Sequence, residues 1–386
     1  MKYRMEDIVH IIDYRGKTPK KSVHGIDTLS AKSVKDGYID YAESYKISED
    51  EYKRFMVRGF PKKGDVLMTT EAPLGVVAIL DRDDVAIAQR LLTLRGKEGI
   101  LTNKYLYYWL KSPLGQSSLK ARETGTTVTG IKQAEFRKIE LDIPDVLMQQ
   151  KITSILESID AKLQNNNNIN KNLLEQMESL YKAWFADFIP FNGSRPTNWK
   201  KTDIYSIADI IYGAPFASKL FNTDGEGIPI IRIRDLKDQS FVTYTTENHP
   251  KGHLIQPGDI IVGMDGEFRP YIWGNTEAWL NQRVCIFNNK RPKGKAFVLF
   301  TIKPLLYQIE QTQVATTVIH IGKKDYDAFE LYLPDNKTLD QFDAITSPMV
   351  DQIVINCLES KKLTALRDAL LPKLMSGELD VASLDL

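Results

Sequence analysis

The chain has 386 residues, of which 42% are hydrophobic and 26% charged, and its formal net charge at pH 7 is +1. Ordinary hydrophobicity with almost no net charge excludes a disordered chain and supplies enough apolar surface for two or three domain cores. No apolar run reaches the roughly 18 residues of a membrane span, and two cysteines are too few for a disulfide framework. Acidic residues at positions 6 and 7 replace the apolar segment of a signal peptide, so we expect a cytoplasmic protein without membrane contact.

Four short motifs occur twice in the same order, which indicates an internal repeat. Gly64-Asp65 recurs as Gly258-Asp259, an offset of 194, and Gln89-Arg90 recurs as Gln282-Arg283, an offset of 193. An offset of 190 relates two further pairs of segments, 126–128 with 316–318 and 140–144 with 330–334. The sequence therefore predicts two diverged copies of one unit.

The first part of each copy, 1–145 and 191–335, has the pattern of a mixed α/β domain. Short helices are predicted over 103–111 and 114–121, with Asn103 as the N-cap of the first. The Gly-Asp pair of each copy is interpreted as a turn that leads into a strand. Apolar runs bounded by Gly, Pro and Asp predict strands at 66–68, 76–80, 260–262 and 284–287.

The second part of each copy, 146–190 and 336–386, has the pattern of a long helix. After Pro144 the apolar residues follow the heptad spacing of a coiled coil at Ile152, Leu156, Ile159, Leu163, Leu173, Met177, Leu180 and Trp184. A similar stripe follows Pro334, where Pro348 is interpreted as a helix start or a kink. We expect helix 146–186 to pack antiparallel along helix 338–371, mainly through the seam residues Ile152, Ile159, Leu173 and Leu180.

A run of four asparagines, 165–168, interrupts the apolar seam, and the expected seam positions 166 and 170 are both asparagine. One interpretation is a solvated loop or a kink between two shorter helices. The other is a polar insertion in a continuous seam, which fixes the register of a coiled coil at some cost in stability. The sequence leaves both interpretations open.

No cofactor loop is recognisable in the sequence. Gly16-Lys17-Thr18 resembles the end of a phosphate-binding loop, but that loop needs a glycine where this chain has Ile11. There is no glycine-rich turn suited to S-adenosylmethionine or a dinucleotide, and no Asn-Pro-Pro-aromatic or Asp-Pro-Pro-aromatic tetrapeptide for amino-group methylation. We therefore expect no cofactor.

Catalytic and metal-binding constellations are equally weak. His249 and His253 have the spacing of a helical metal pair, but Pro250 and Gly252 disfavour a helix and no third ligand is near. Asp259, Asp265 and Glu267 could imitate a nuclease cluster; only Asp259 is assigned a counterpart in the first copy, and the other two are interpreted as loop residues. We expect no catalytic residue and no metal site, so the chain is interpreted as a binding protein.

The order of the segments resembles that of the specificity subunit of type I restriction-modification systems. The resemblance covers essentially the whole chain and is carried by the two domain openings, at 13–19 and at 213–218 with 227–236, and by the two helix ends, at 175–185 and 370–377. It implies an α+β fold in which two mixed α/β target-recognition domains are separated by an antiparallel coiled coil of two long helices, with a pseudo-two-fold internal repeat.

This resemblance also implies the function and the partners. Such a subunit is non-catalytic and reads an asymmetric, bipartite sequence of double-stranded DNA, one part with each recognition domain. Its helical regions hold two methyltransferase subunits, and restriction subunits join the full complex, which translocates and cuts DNA with ATP. A protein-binding scaffold with two recognition globules on a helical spacer is the alternative, and salt-dependent, sequence-dependent DNA binding would separate the two.

Two sets of candidate site residues follow. Loop residues that suit phosphate or base-edge contacts are the candidates for DNA binding: Arg15, Lys17, Thr18, Lys20, Ser218, Lys219, Arg232, Arg234 and Arg269. The shared Gln-Arg motifs are interpreted instead as fold or backbone contacts. Exposed apolar residues at the helix ends are the candidate methyltransferase anchors: Tyr181, Trp184, Phe185, Leu371, Leu374 and Met375. The alternative for Trp184 and Phe185 is that they merely cap the helices against a globular domain.

Overall fold

The computed structural model describes residues 2–125, 129–266, 268–312 and 320–382. The chain forms two compact units, the first comprising Met1–Ala161 with Ala365–Leu386 and the second Lys162–Thr364. Both unit boundaries fall inside long helices, so each unit contains one globular domain and a section of both helices. Over the described ranges, no helix combines the length and the apolar character needed to cross a bilayer.

The first unit contains short strands and helices before the first long helix. Its strands are β1 (Lys2–Arg4), β2 (Val9–Asp13), β3 (Lys21–Ser22), β4 (Ile26–Leu29), β5 (Val34–Lys35), β6 (Tyr38–Ile39), β7 (Tyr45–Ile47), β8 (Val66–Thr70), β9 (Leu74–Ile79), β10 (Val85–Ile87), β11 (Leu91–Gly96) and β12 (Glu140–Asp142). Its helices are α1 (Met5–Ile8), α2 (Glu49–Phe55), α3 (Asn103–Lys111), α4 (Pro113–Lys120), α5 (Gln133–Arg137) and the first part of α6 (Val146–Phe185).

The second unit begins within α6 and has a similar series of elements. Its strands are β13 (Lys200–Asp203), β14 (Ala208–Tyr212), β15 (Phe221–Asn222), β16 (Ile228–Ile231), β17 (Tyr244–Thr245), β18 (Leu254–Ile255), β19 (Ile260–Gly263), β20 (Pro270–Ile272), β21 (Ala278–Leu280), β22 (Val284–Asn289) and β23 (Glu330–Leu333). Its helices are α7 (Lys295–Thr312), α8 (Lys323–Asp327) and most of α9 (Asn336–Ser376), which ends in the first unit.

The two units repeat one sheet topology. An antiparallel sheet has the order β2-β11-β8-β9 in the first unit and β14-β22-β19-β20 in the second. A second sheet contains one parallel pair in each unit, β4 with β10 and β16 with β21. An antiparallel pair, β1 with β12 or β13 with β23, joins the beginning of each domain to its end. The predicted internal repeat is confirmed, although the repeated segments 126–128 and 316–318 both lie outside the described residues.

The repeated Gly-Asp pair forms the same turn in both units. The backbone N–H of Lys62 donates to Asp65 Oδ2 at 2.8 Å, and that of Gln256 donates to Asp259 Oδ2 at 2.8 Å. The glycine before each aspartate has φ = +90°, a backbone conformation that glycine adopts without a Cβ penalty. The pair is therefore a turn leading into β8 and β19, as the sequence predicts.

Helices α3 and α4 lie where the sequence predicts them, but the predicted N-cap is wrong. The Thr102 hydroxyl accepts a hydrogen bond from the Tyr105 backbone N–H at 3.2 Å and caps α3. Asn103 instead accepts a hydrogen bond from the Gly96 N–H and donates one to the Gly64 carbonyl, both at 2.7 Å. Its side chain thus ties α3 to β11 and to the Gly-Asp turn, a tertiary role that local capping preferences do not indicate.

The two long helices pair antiparallel within each unit. In the second unit, Asn356 Nδ2 donates to Asn170 Oδ1 at 2.8 Å, whereas Phe185, later in α6, contacts Phe342, earlier in α9. In the first unit, a salt bridge at 3.1 Å joins α6 to α9 through Asp160 Oδ1 and Arg367 Nη1. The predicted seam residues contribute as expected: two are buried and two half-buried against a core, namely Ile152, Ile159, Leu173 and Leu180.

Helix α6 continues without interruption through the asparagine run, so the loop interpretation is wrong. Asn166 is buried, and its amide Nδ2 donates to Glu359 Oε2 at 2.8 Å and to Ser360 Oγ at 3.2 Å. The run therefore places a polar insertion in the helical seam. Pro348 lies inside α9, which begins at Asn336, and the interpretation of Pro348 as a helix start is also wrong.

Each domain core includes side chains from both long helices. In the first unit, residues of β8, β11 and α3 share a core with Ile152 and Leu156 of α6 and with Leu374 and Met375 of α9. In the second, residues of β19, β22 and α7 share a core with Met177 of α6 and with several residues of the first half of α9. Apolar burial of this kind fixes each domain to its own section of the helices.

Asn166→Asp should destabilise the second unit, because it replaces a buried amide with a carboxylate beside Glu359. We expect the free energy of unfolding to fall by about 2 kcal/mol or more at pH 7, measured by chemical denaturation. Asn167→Asp, one residue along on the exposed side, is the matched control and should change it by less than about 0.5 kcal/mol. Equal losses in the two variants would contradict a buried polar layer.

Candidate nucleic-acid interface

In the first unit, the arginine of the repeated Gln-Arg motif forms an ion pair with an acidic side chain. Arg90 Nε lies 2.7 Å from Glu71 Oε1, and the Arg90 carbonyl accepts a hydrogen bond from the Thr70 N–H at 3.0 Å. The backbone of Arg90 is left-handed, with φ = +66°. This pair lies in a cleft of about 510 Å³ that also presents the side chains of Arg15, Gln89 and Lys132.

The second unit has the same arrangement with different side chains. Arg283 Nη1 lies 3.3 Å from Asp265 Oδ1, and the Arg283 carbonyl accepts a hydrogen bond from the Met264 N–H at 2.9 Å. His320 adds a ring nitrogen, Nδ1, at 2.6 Å from Asp265 Oδ1. A β-bridge joins Asp265 to His320, just as one joins Glu71 to Gly130 in the first unit.

Asp265 therefore has a counterpart in the first copy, Glu71, and the opposite interpretation from sequence was wrong. The signal is in the spacing, because each acid lies six residues after the aspartate of its Gly-Asp turn, Asp65 or Asp259. The change from Glu to Asp hid the match. Glu267, the other member of the rejected carboxylate cluster, lies outside the described residues.

Of the four DNA-binding candidates of the first unit, two have side chains that are hydrogen-bonded within the fold and two have exposed side chains. Arg15 donates from Nε and Nη2 to the Asp13 carboxylate, at 2.7 to 3.0 Å, and from Nη1 to the Ile131 carbonyl at 2.9 Å. Thr18 accepts a hydrogen bond from the Gln89 amide. The remaining two, Lys17 and Lys20, have exposed side chains. Arg15 thus lines the cleft, and Thr18 is hydrogen-bonded to Gln89, another residue that lines it.

The DNA-binding candidates of the second unit also comprise side chains that are hydrogen-bonded within the fold and side chains that are exposed. Arg269 Nη2 donates to Glu310 Oε1 at 3.0 Å, and Arg232 hydrogen-bonds the Thr243 hydroxyl. Burial lowers the pKa of Arg232, with the nearby charge of Arg234 acting in the same direction. The others are exposed: Ser218, Lys219 and Arg234.

The three aromatic anchor candidates at the end of α6 pack against the core of the second unit, which includes residues of α9. Phe185 and Trp184 lie with ring centroids 4.9 and 5.9 Å from that of Phe342, and the Tyr181 hydroxyl is 3.0 Å from that of Thr301. All three are half-buried. Phe185 also lies 5.0 Å from Phe297 and 5.8 Å from Trp199 of the second domain, which fits the capping alternative that the sequence left open for Trp184 and Phe185. A partner contact of any of the three stays a prediction.

The three anchor candidates at the end of α9 are not exposed, so that expectation is wrong. Leu371, Leu374 and Met375 are buried in the core of the first unit, where they share a cluster with Ile152 and Leu156. Their apolar stripe faces the chain's own first domain. Any contact they make with a partner stays a prediction.

No group of three or more His, Cys, Asp or Glu side chains suited to a metal ion occurs in the part of the chain that the structure describes. In particular, Asp259 and Asp265 occupy different settings. Asp259 belongs to the Gly-Asp turn, and Asp265 pairs with Arg283 and His320. The two arginine–acid arrangements and the exposed cations of each unit can bind a ligand through charge and hydrogen bonds.

Comparison with known proteins identifies the family. A family model described as "Type I restriction modification DNA specificity domain" matches residues 1–175 and 196–354. The chain is 26% identical over 368 residues to the type I restriction enzyme MjaIX specificity subunit of Methanocaldococcus jannaschii, covering 90% of this chain and 84% of that protein. It is 36% identical over 138 residues to the EcoBI specificity subunit of Escherichia coli, covering 36% of this chain and 29% of that protein.

The fold is also similar to that of a solved specificity subunit. The crystal structure of a type I restriction-modification S subunit from M. genitalium superimposes with a TM-score of 0.59 at 16% identity, over 97% of this chain and 96% of that one. Since the family model matches both copies over most of the sequence, the chain belongs to the DNA specificity family of type I restriction-modification systems, as a non-catalytic DNA-recognition subunit.

Proposed function

We propose that the chain reads an asymmetric, bipartite sequence of double-stranded DNA, one part with each unit. The observation that supports this is the repeated arginine–acid arrangement, which has the same backbone hydrogen bond and β-bridge in both units but two sets of side chains. Where the first unit has Glu71 and Gly130, the second has Asp265 and His320. One scaffold with different hydrogen-bonding groups can select two different base sequences, because base edges are read by the donors and acceptors that face them.

In this proposal the recognition domains are 1–145 and 191–335, and the helical regions are 146–190 and 336–386. The exposed cations contact phosphates and position the protein, while side chains of the two arginine–acid arrangements contact base edges. Lys17, Lys20, Lys219 and Arg234 suit the phosphate role because their side chains are exposed. Arg15, Arg232 and Arg269 are candidates for a second role, holding the loops in shape through hydrogen bonds already present in the fold.

We also propose that the chain acts on host DNA in the cytoplasm as the scaffold of a larger complex. Two methyltransferase subunits would bind the helical regions, and restriction subunits would join the full complex. The repeat supports two equivalent partner sites, since each unit presents a section of both helices. Large apolar side chains remain exposed on α9 at Ile345, Ile355 and Leu366, whereas the predicted anchors at its end are buried.

Lys219→Ala with Arg234→Ala should weaken DNA binding by the complex assembled with its methyltransferase subunits. Each lost phosphate contact should reduce the salt dependence, log Kd against log salt, by about 1 in slope. Fluorescence anisotropy over a salt series measures this. Lys171→Ala, an exposed lysine of α6, is the control that should leave the slope unchanged. An unchanged slope in the double variant would remove these two residues from the interface, and sequence-independent, salt-insensitive binding by the wild type would overturn the proposed function.

Leu374→Ala should destabilise the first unit by about 2–5 kcal/mol, because the side chain is 1% exposed within a packed core. Leu366→Ala, at a side chain 49% exposed, should cost less than about 1 kcal/mol. Thermal and chemical denaturation measure both.

The partner contact is tested separately with Ile355→Asp and Leu366→Asp in one chain, at exposed positions where the fold should persist. We expect this variant to keep its circular dichroism spectrum and lose methyltransferase co-purification. Intact co-purification would exclude these two residues as partner contacts.

A further inference from the structure

In the first unit, a buried aspartate forms a two-point ion pair with an arginine of the same unit. Asp65 is 1% exposed and accepts hydrogen bonds from Arg95 Nε at Oδ1 and from Arg95 Nη2 at Oδ2, both at 2.7 Å. Arg95 Nη2 also donates to the Phe60 carbonyl at 3.1 Å. The hydrogen bond to Asp65 raises the pKa of Arg95 further above its ordinary value. This is the two-point geometry in which a planar guanidinium fits a carboxylate.

The second unit repeats the aspartate without the arginine. Asp259 stands in the same Gly-Asp turn, and the Gln256 N–H holds its Oδ2 at 2.8 Å. The position of Arg95 on β11 is taken on β22 by Asn288, at the offset of 193 that also relates the Gln-Arg motifs. Strand pairing agrees, because Arg95 lies opposite His10 on β2 and Asn288 lies opposite Asp209 on the equivalent strand β14.

No ion pair is formed by Asp259 with any residue in the described ranges. The basic side chains of Lys295 and His253 act on the Asp259 carboxyl only through longer-range electrostatics. Burial raises the pKa of the Asp259 carboxyl, and the attraction of these two groups does not outweigh that effect. The second unit has therefore kept the acceptor and lost the group that neutralises it.

A cavity of about 500 Å³ adjoins this carboxylate. Residues that line it include Asp259, Asn288 and Leu254, which is the counterpart of Phe60 at an offset of 194. The counterparts of all three residues that form the Arg95 guanidinium site thus line one cavity. His253 and Trp279 are among the other residues that line the cavity, and an indole is a side chain on which a flat cation can stack.

We propose that this cavity of the second unit binds a guanidinium group supplied from outside the chain, with the Asp259 carboxylate as the two-point acceptor. The first unit shows the ligand chemistry, since its own guanidinium fills the equivalent position. A guanidinium fits better than an ammonium because its planar fork matches both carboxylate oxygens. The group can come from a small guanidinium compound or from an arginine side chain of a protein. The site does not depend on DNA recognition.

The test is calorimetric titration of the full-length chain, without DNA, with three probes. Agmatine represents a small guanidinium compound, N-acetyl-arginine amide represents a protein side chain, and cadaverine carries two ammonium groups but no guanidinium. We expect saturable binding of the two guanidinium probes and binding of cadaverine at least about tenfold weaker. Whichever guanidinium probe binds more tightly identifies the source. Failure of both guanidinium probes to bind at millimolar concentration would overturn the proposal without touching DNA recognition.

Two variants locate the site. Asn288→Arg supplies the arginine of the first unit from the chain itself, so we expect a higher melting temperature and at least about a tenfold loss of agmatine binding. Arg95→Asn makes the reverse change in the first unit, and agmatine should raise its melting temperature by more than that of the wild type. Unchanged agmatine binding in a folded Asn288→Arg chain would overturn the proposal.

Discussion

The interaction on which the rest of the structure depends is the burial of the long helices in the two domain cores. Helix α6 contributes Ile152 and Leu156 to the first core and Met177 to the second, and α9 contributes Leu374 and Met375 to the first. Neither domain completes its core without these side chains. Within each unit, a rotation or slip of a helix would expose apolar surface, so core packing also constrains where the arginine–acid arrangement lies relative to the helical section of its own unit.

The polar layer in the helical seam fixes the register of the two long helices, which apolar packing alone does not fix. Leucine-like contacts tolerate sliding by a heptad, but the buried amide of Asn166 meets Glu359 and Ser360 in one register only. The arginine–acid arrangements combine a fixed backbone with different side chains. Their backbone hydrogen bond is repeated from one unit to the other, while the acid and its bridge partner differ. A conserved frame with variable contact groups is what a protein needs to recognise two different sequences with one fold.

Much of the fold could be predicted because it rests on patterns that the sequence shows directly. The offsets of 190 to 194 revealed the repeat, and heptad spacing revealed both helices. Two of the failures concern which part of the fold contacts a residue, and a third concerns the match between the two copies. Leu374 lies in an apolar stripe, but periodicity does not say that the first domain covers it. Asn103 has the preference of an N-cap, and a tertiary contact with Gly64 decides its role. The counterpart of Asp265 in the first copy was missed because it is a glutamate, Glu71.

The central claim is that two diverged units read two different parts of one DNA target. Methylome sequencing of the host, with and without the gene for this chain, tests it most directly. The account predicts one methylated motif that disappears with the gene and consists of two different short sequences separated by bases of any identity. A motif that is continuous, or two identical halves in palindromic arrangement, would contradict the claim.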